Sequence, residues 1–338
     1  MKNKKLLWQV PFLVLLVVGT VLIIRQQRAM PYQKCADLIF GTSYHVTYQC
    51  DSDLTQSIKA ELLKIDASLS PFNEQSIITA VNENRNVKVD EIFTEVFNMA
   101  MGISRETDGA FDITVAPLVN AWGFGFKNGI QPTKHQVDSL MQLVGYQKIR
   151  LTDGMILKHD PRIMLDCSAI AKGYGTDRVA RLLRSRGVQN FMVEIGGEVV
   201  TSGVNPSRLP WRIGVTKPTE DSLDTNHELQ TILNVTDKAM ATSGNYRNFY
   251  YKGGKKYAHT IDPRTGYPVQ HSILSATVLT KSCAVADAYA TSFMVMGLEK
   301  AKKVLERHPE LMAYFIYSDE NGDMAVWFSP SLRNKIAD

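Results

Sequence analysis

The run LLWQVPFLVLLVVGTVLII, residues 6–24, constrains this chain more than any other segment. It is 19 consecutive residues without a charge. Lys2, Lys4 and Lys5 precede it, and Arg25 and Arg28 follow it. A helix lying on a globular core would show polar residues once per turn, and this run does not. It is longer than the ~7–15 residues of a signal-peptide apolar region. It suits the ~17–25 residues that cross a bilayer. No A-x-A cleavage pattern follows directly, and Cys35 stands in PYQKC, a poor match to a lipidation box. Residues 1–30 therefore read as an uncleaved transmembrane anchor, with a cleaved signal segment or a lipoprotein anchor as alternatives. The expected location is the cell inner membrane, with the body on the periplasmic, extracytoplasmic side. The basic arms on both flanks leave the orientation itself open.

Residues 36–338 read as one domain, because no Pro/Ser-rich linker divides them. Hydrophobic residues make up 44% of the chain and charged residues 21%, an ordinary globular balance with enough apolar surface for a large core. The net charge of +4 comes in part from the N-terminal lysines and gives no argument for nucleic acid. The four cysteines contain no C-x-x-C pair, which argues against a zinc ribbon or a thioredoxin motif. In an exported protein Cys35 and Cys50 could pair; the sequence does not decide it.

Strands and helices alternate here without a βαβ rhythm, which points to an α+β fold with mixed or antiparallel sheets and packed helices. DLIFGTSYHVTYQ reads as a strand interrupted by Gly41. Leu54, Ile58, Leu62, Ile65 and Leu69 mark a helix that ends at Ser70-Pro71. A second helix runs from about Asp90 to Thr107, and a third begins after Pro132-Thr133. KIRLT and MILKHD read as paired strands, and AKGYGTDRVARLLRSRG as a helix closed by Gly187. FMVEIGGEVVTSG is strand, Gly-Gly turn, strand. Further strands lie in WRIGVTK, LQTILNVT and SATVLT. SCAVADAYATSFMVMG and LEKAKKVLERH are helices, and a hairpin closes around Glu320-Asn321-Gly322. GAFDITVAPLVNAWGFG fits neither element type: it carries Pro117 in mid-run and only one charge, Asp112.

Three clusters could carry chemistry. LDCSAIAKGYGTD sets Asp166 and Lys172 around the start of a helix, a place suited to an anionic phosphate, although an ordinary capped helix explains the same residues. ATSGNYRNFYYKGGKKYAHTIDPRTGYPV gathers Thr242, Ser243, Arg247, His259, Asp262 and Arg264 among aromatics, with IDPRTG as turn chemistry. ADAYAT spaces Asp287 and Thr291 by four residues. On a helix their oxygens share a face, and with a nearby carbonyl they suit a hard cation such as Mg²⁺.

With FGTSYHV, LSPFNEQS, GAFDITVAPLVNAWGFG, LDCSAIAKGYGTD, VEIGGE, ATSGNYRNF, YAHTIDPRTGYPV and ADAYATSFMVMG in this order, the chain resembles the ApbE family from about residue 38 onward. The resemblance implies an α+β domain with flavin in a central cleft. It implies a Mg²⁺-dependent FAD:protein FMN transferase, which splits FAD and joins FMN through a phosphoester to a threonine of an acceptor flavoprotein, releasing AMP. Acceptors in that family are typically subunits of membrane redox pumps. By position, Asp287, Thr291 and the main-chain oxygen of Ala169 would hold the metal. Phe40, Phe72, the Ala110–Phe111–Asp112 backbone, Asp166, Lys172 and Ile261 would contact FAD. His259 falls at the family's proposed catalytic histidine, with Asp262 a candidate to orient or replace it. The aromatic Phe72 is consistent with a stacking wall. The alternatives are a Mg²⁺-dependent FAD pyrophosphatase and an anchored flavin-binding lipoprotein without activity.

Overall fold

The computed structural model describes residues 4–125, 132–218, 228–245, 249–252, 255–270 and 272–337. Helix α1 (Lys4–Ala29) contains Pro11, and its side chains are described from residue 9 to residue 25. Apolar ones among them, such as Phe12 and Leu15, are exposed. Among the described residues no helix is long and apolar enough to cross a membrane.

The body opens on a hairpin, β1 (Tyr32–Ile39) and β2 (Thr42–Gln49), where one interrupted strand is expected from the sequence. Phe40 and Gly41 are its two-residue turn, both at positive φ (53° and 74°), as a type I′ turn requires. Helices α2 (Thr55–Leu69), α3 (Ile77–Asn82) and α4 (Glu91–Glu106) follow, then the short α5 (Ala116–Ala121) and α6 (Lys134–Met141). The hairpin β3 (Ile149–Thr152) and β4 (Met155–Lys158) leads to α7 (Ser168–Ser185). Three hairpin pairs and a single strand come next: β5 (Phe191–Ile195) with β6 (Glu198–Ser202), β7 (Arg212–Thr216) with β8 (Leu229–Asn234), β9 (Ala239–Gly244), and β10 (Phe249–Lys252) with β11 (Lys255–Ala258). The chain closes with β12 (Ile273–Thr280), α8 (Cys283–Met296), α9 (Leu298–Arg307), β13 (Met312–Ser318) and β14 (Met324–Phe328).

Eight strands form one sheet in the order β1-β2-β5-β6-β9-β12-β13-β14, and every described pairing in it is antiparallel. This is the α+β class, with the open choice between mixed and antiparallel resolved to antiparallel. Helices α7 and α8 lie against the sheet, and α2 and α4 pack outside them. The centre of the sheet is buried on both faces. Ala239, Ala241, Ala276, Val278, Ala313 and Phe315 join the core under the helices, while Met240, Leu279, Tyr314 and Ile316 face a second cluster with Val215 and Leu233. The two sets alternate along the strands, as a pleated strand demands. Alanines on the helix-facing side join one core cluster with Ala284, Ala286, Ala288 and Ala290 of α8, whose small side chains let α8 pack closely in that core.

Two contacts fix α7 against α8. Gly173 sits where a Cβ would come within 2.4 Å of the Cys283 carbonyl oxygen. Asp177, one turn on, accepts from Ser282 Oγ at 2.7 Å, Cys283 N at 2.9 Å and Ala284 N at 3.0 Å, and so caps α8 from its neighbour. Gly173→Ala is expected to force the helices apart and to cost about 1–3 kcal/mol of stability. A thermal midpoint equal to that of the parent protein would show that the two helices separate freely.

The register also settles the cysteines. Cys35 faces Val46, and Cys50 follows four positions further on, with its amide donating to Pro31 O. At ~3.3 Å per residue that offset is roughly 13 Å, against the ~7 Å limit for a disulfide. All four cysteines are free thiols.

Candidate active site

A cavity of about 690 Å³ opens between the sheet, α7, α8 and the loops beyond α4 and β11. It falls within the ~300–1,000 Å³ usual for ligand sites. Phe40, Phe72, Ala110, Phe111, Asp112, Asp166, Ala169, Lys172, His259, Ile261, Asp287 and Thr291, singled out from the sequence as catalytic, flavin or metal contacts, all line it, while Asp262 does not. They come from six separate stretches of chain, and the fold brings all of them to one place. Arg247 lies outside the described residues.

The walls are apolar. Phe40 comes from the β1–β2 turn, and its ring packs over Gly175, where a Cβ would stand 2.9 Å from it. Phe72, just beyond α2, is 73% exposed and stands at the edge of the cavity. Residues 110–125 form a long side of it. Within this stretch Pro117 occupies the first turn of α5, the helical position that tolerates proline.

Asp112 has a structural task. Its Oδ1 accepts from Thr114 N at 2.8 Å and Thr114 Oγ1 at 2.6 Å, and its Oδ2 accepts from Tyr146 N at 2.7 Å. Burial pushes its pKa up, and these bonds oppose the rise. The carboxylate thus braces the turn. Asp166 is tied to the same loop, because its amide donates to Ile113 O at 2.8 Å. Its Oδ1 accepts from Ser168 N at 2.8 Å and from Ser168 Oγ, which starts α7.

The polar floor is built by α7, α8 and the β5–β6 turn. Lys172 Nζ lies 2.8 Å from Glu198 Oε1 and 3.7 Å from Asp287 Oδ2. Glu198 and Asp287 are each only 3% exposed. Gly173 N donates to Asp287 Oδ2 at 3.1 Å. Thr291, one turn along α8, has its Oγ1 3.1 Å from Ser243 Oγ. Burial opposes the Lys172 charge, but Asp287 and Glu198 outweigh it and hold the ammonium above the ordinary lysine pKa. Burial pushes the Glu198 carboxyl up; Lys172 opposes that and Asp287 reinforces it.

This floor has two buried carboxylates and one ammonium, so it is short of positive charge. Glu198 Oε2 has no hydrogen-bond partner among the described residues. Buried anions in such a state call for another cation. The available donors, the Asp287 carboxylate, the Thr291 hydroxyl and the Ala169 carbonyl, are all oxygens and suit a hard divalent ion. Among the described residues no group of three or more His, Cys, Asp or Glu side chains is placed to hold a metal ion, so an ion here would rely on the single Asp287 carboxylate with hydroxyl and main-chain oxygens.

His259 lines the same cavity from the loop after β11, with its ring edge-on to Phe124 at 6.4 Å. Trp122 Nε1 donates to Gly266 O at 2.8 Å, fastening that loop to the 110–125 wall. Asp262 is committed to its own turn. Arg264 Nε and Nη2 grip its two oxygens at 2.9 Å each, and Arg264 N adds a third bond at 2.9 Å. Its role is the turn that IDPRTG suggests.

Sequence reasoning missed Glu198 and Asp177. Glu198 stands at the end of VEIGGE, where an acid between a Gly-Gly turn and the apolar EVV strand start was the available signal. Asp177 closes LDCSAIAKGYGTD, but its partners lie more than a hundred residues away.

The profile of the ApbE family matches residues 40–315. The chain is 36% identical over 299 residues to the FAD:protein FMN transferase of Haemophilus influenzae, covering 83% of this chain and 85% of that protein. It is 33% identical over 292 residues to the FAD:protein FMN transferase of Escherichia coli K12, covering 84% and 82%. Its fold matches that of the flavin transferase ApbE from Vibrio cholerae with a TM-score of 0.81 at 32% identity, over 90% of this chain and 99% of that one.

Proposed function

Because this chain belongs to the ApbE family, we propose that it is a Mg²⁺-dependent FAD:protein FMN transferase that modifies a threonine of an acceptor flavoprotein. The observation that carries this reading is the pairing, in one apolar-walled cavity, of the Lys172–Asp287–Glu198 floor with His259. A pyrophosphate brings negative charge into that cavity, and Lys172 faces it. When bound, Mg²⁺ would take the Asp287 carboxylate, the Thr291 hydroxyl and the Ala169 carbonyl, and would neutralise charge on the phosphates and the leaving group.

The reaction makes one P–O bond and breaks another. The acceptor threonine oxygen bonds to the phosphorus of the FMN half, and the bridging P–O bond to AMP breaks. The hydroxyl proton passes to a ring nitrogen of His259, the side chain type suited to accept a proton near neutral pH. Phe40, Phe111 and Phe124 keep water from the flavin, and Phe72 offers a face on which a ring can stack.

The setting we propose is the periplasmic side of the inner membrane. What supports it is the sequence of residues 6–24, 19 residues without a charge, and the reading takes the acceptor to be a subunit of a membrane redox complex. The test is FAD with Mg²⁺, with and without an exported acceptor flavoprotein. AMP release that depends on acceptor, with flavin fluorescence retained on the denatured acceptor, is the expected result. AMP released equally fast without acceptor, and no flavin on the protein, would make this an FAD pyrophosphatase.

A further inference from the structure

Lys172 has two partners and, on the reading above, two competing duties. It must face an anionic phosphate, yet its ammonium also lies 3.7 Å from the carboxylate that would hold the cation. An ammonium seated on Asp287 competes with a divalent ion for the same oxygens. What keeps it from seating there is Glu198. That carboxylate holds Lys172 Nζ at 2.8 Å, closer than Asp287 does. Glu198 is almost fully buried, and its other oxygen has no hydrogen-bond partner among the described residues. Lys172 is therefore the group that compensates its charge, and the pull on the ammonium is strong.

Its placement is fixed by the backbone. Glu198 opens β6 directly after Gly196 and Gly197, both at positive φ (60° and 101°). A Cβ on Gly196 would approach Thr42 to 2.8 Å, so the turn is held against the β1–β2 hairpin. The carboxylate thus reaches Lys172 from the sheet, while Asp287 reaches it from α8.

We propose that Glu198 is a positioning residue for the cation site: it retains Lys172 as its own counter-ion and so leaves the Asp287 carboxylate open to a divalent ion. The inference rests on the cation reading given above. Once an ion occupies Asp287, repulsion between like charges removes Lys172 from that oxygen. Glu198 then keeps the ammonium at the edge of the site, where a phosphate can meet it.

The test is Mn²⁺ binding to the detergent-solubilised full-length protein, followed through the electron paramagnetic resonance signal of free Mn²⁺ and needing neither FAD nor turnover. The parent protein is expected to bind one ion, and Asp287→Ala to lose it. Parent binding that Asp287→Ala leaves intact would remove the cation reading and this inference together. With that site established, Glu198→Gln is expected to weaken Mn²⁺ binding about 10-fold or more, the size usual for partners of metal ligands. Lys172→Met alone is expected to tighten it, which tests the competition even where a Glu198 variant fails to fold. In the Lys172→Met background, Glu198→Gln is expected to change affinity less than about threefold, because the competitor is gone. Three results overturn the inference: unchanged binding in Glu198→Gln, weaker binding in Lys172→Met, or an undiminished effect of Glu198→Gln in the double variant. The last would mean that Glu198 attracts the ion directly.

Discussion

Asp287→Ala is expected to abolish FMN transfer, lowering the rate on the order of 10³-fold or more while the fold survives. The argument starts from charge. The floor of the cavity sets two buried carboxylates around one ammonium, and the substrate adds further negative charge at its pyrophosphate. Asp287 is the acid on α8 that shares a helix face with Thr291, so its removal takes away the carboxylate of the proposed ion site. Stabilisation of developing charge by a bound ion is worth several kcal/mol, and each 1.36 kcal/mol is a factor of ten in rate. The fold should persist because Lys172 keeps Glu198 at 2.8 Å as a counter-ion and is not left as a lone buried charge. The main structural loss is the acceptor for Gly173 N, with a cost of about 1–3 kcal/mol. The measurement is AMP release and acceptor flavinylation at saturating Mg²⁺, alongside the thermal midpoint. Undiminished turnover in a folded variant would refute the metal assignment.

This pairing of carboxylate and cation shows what a sequence can and cannot carry. Asp287 and Thr291 were legible because four residues on a helix is a local relation: periodicity alone places both on one face. The helices α2, α4, α7 and α8 were legible for the same reason, with small errors only at their ends. The hairpin at Phe40–Gly41 was hidden. One non-glycine residue at positive φ beside a glycine does not stand out from a strand with a single glycine in it. Asp112 shows the limit in another way. Its isolation among apolar residues marked it as special, yet its carboxylate reaches Tyr146, 34 residues on, and only the fold reveals that it braces the backbone where it lines the cavity. Glu198 is the sharper case. Its partner Lys172 lies 26 residues earlier on a different element, and no spacing rule connects a β-turn acid to a helix lysine. The resemblance to a family located the cavity residues, but the competition among Lys172, Glu198 and Asp287 is a property of three side chains in space.

His259→Ala is expected to lower the rate of transfer at saturating FAD by about 10²–10⁴-fold while FAD affinity changes little. The reason lies in how the loop presents the ring. Ile261 pairs with Pro268 in an isolated bridge, and Thr260 Oγ1 donates to Asn245 Oδ1 at 2.7 Å. The Trp122–Gly266 hydrogen bond pins the same loop to the wall. The imidazole is thus carried by a braced segment on the side of the cavity where Phe124 meets it edge-on. Asp262, the acid of the described part of that loop, has its carboxylate engaged by Arg264. Removal of His259 therefore takes away the ring to which the proposed mechanism gives the hydroxyl proton, and on that mechanism the acceptor hydroxyl must attack phosphorus without it. On the proposed reading FAD is held chiefly by Lys172 and the aromatic walls of the cavity, so binding should have little to lose. The two quantities separate cleanly: FAD affinity by fluorescence titration, and single-turnover transfer to a saturating acceptor. A large loss of affinity with an unchanged transfer rate at saturation would make His259 a flavin contact. A loss of rate with affinity intact fits a base, because only a group acting in the transition state lowers the chemical step without weakening the ground-state complex.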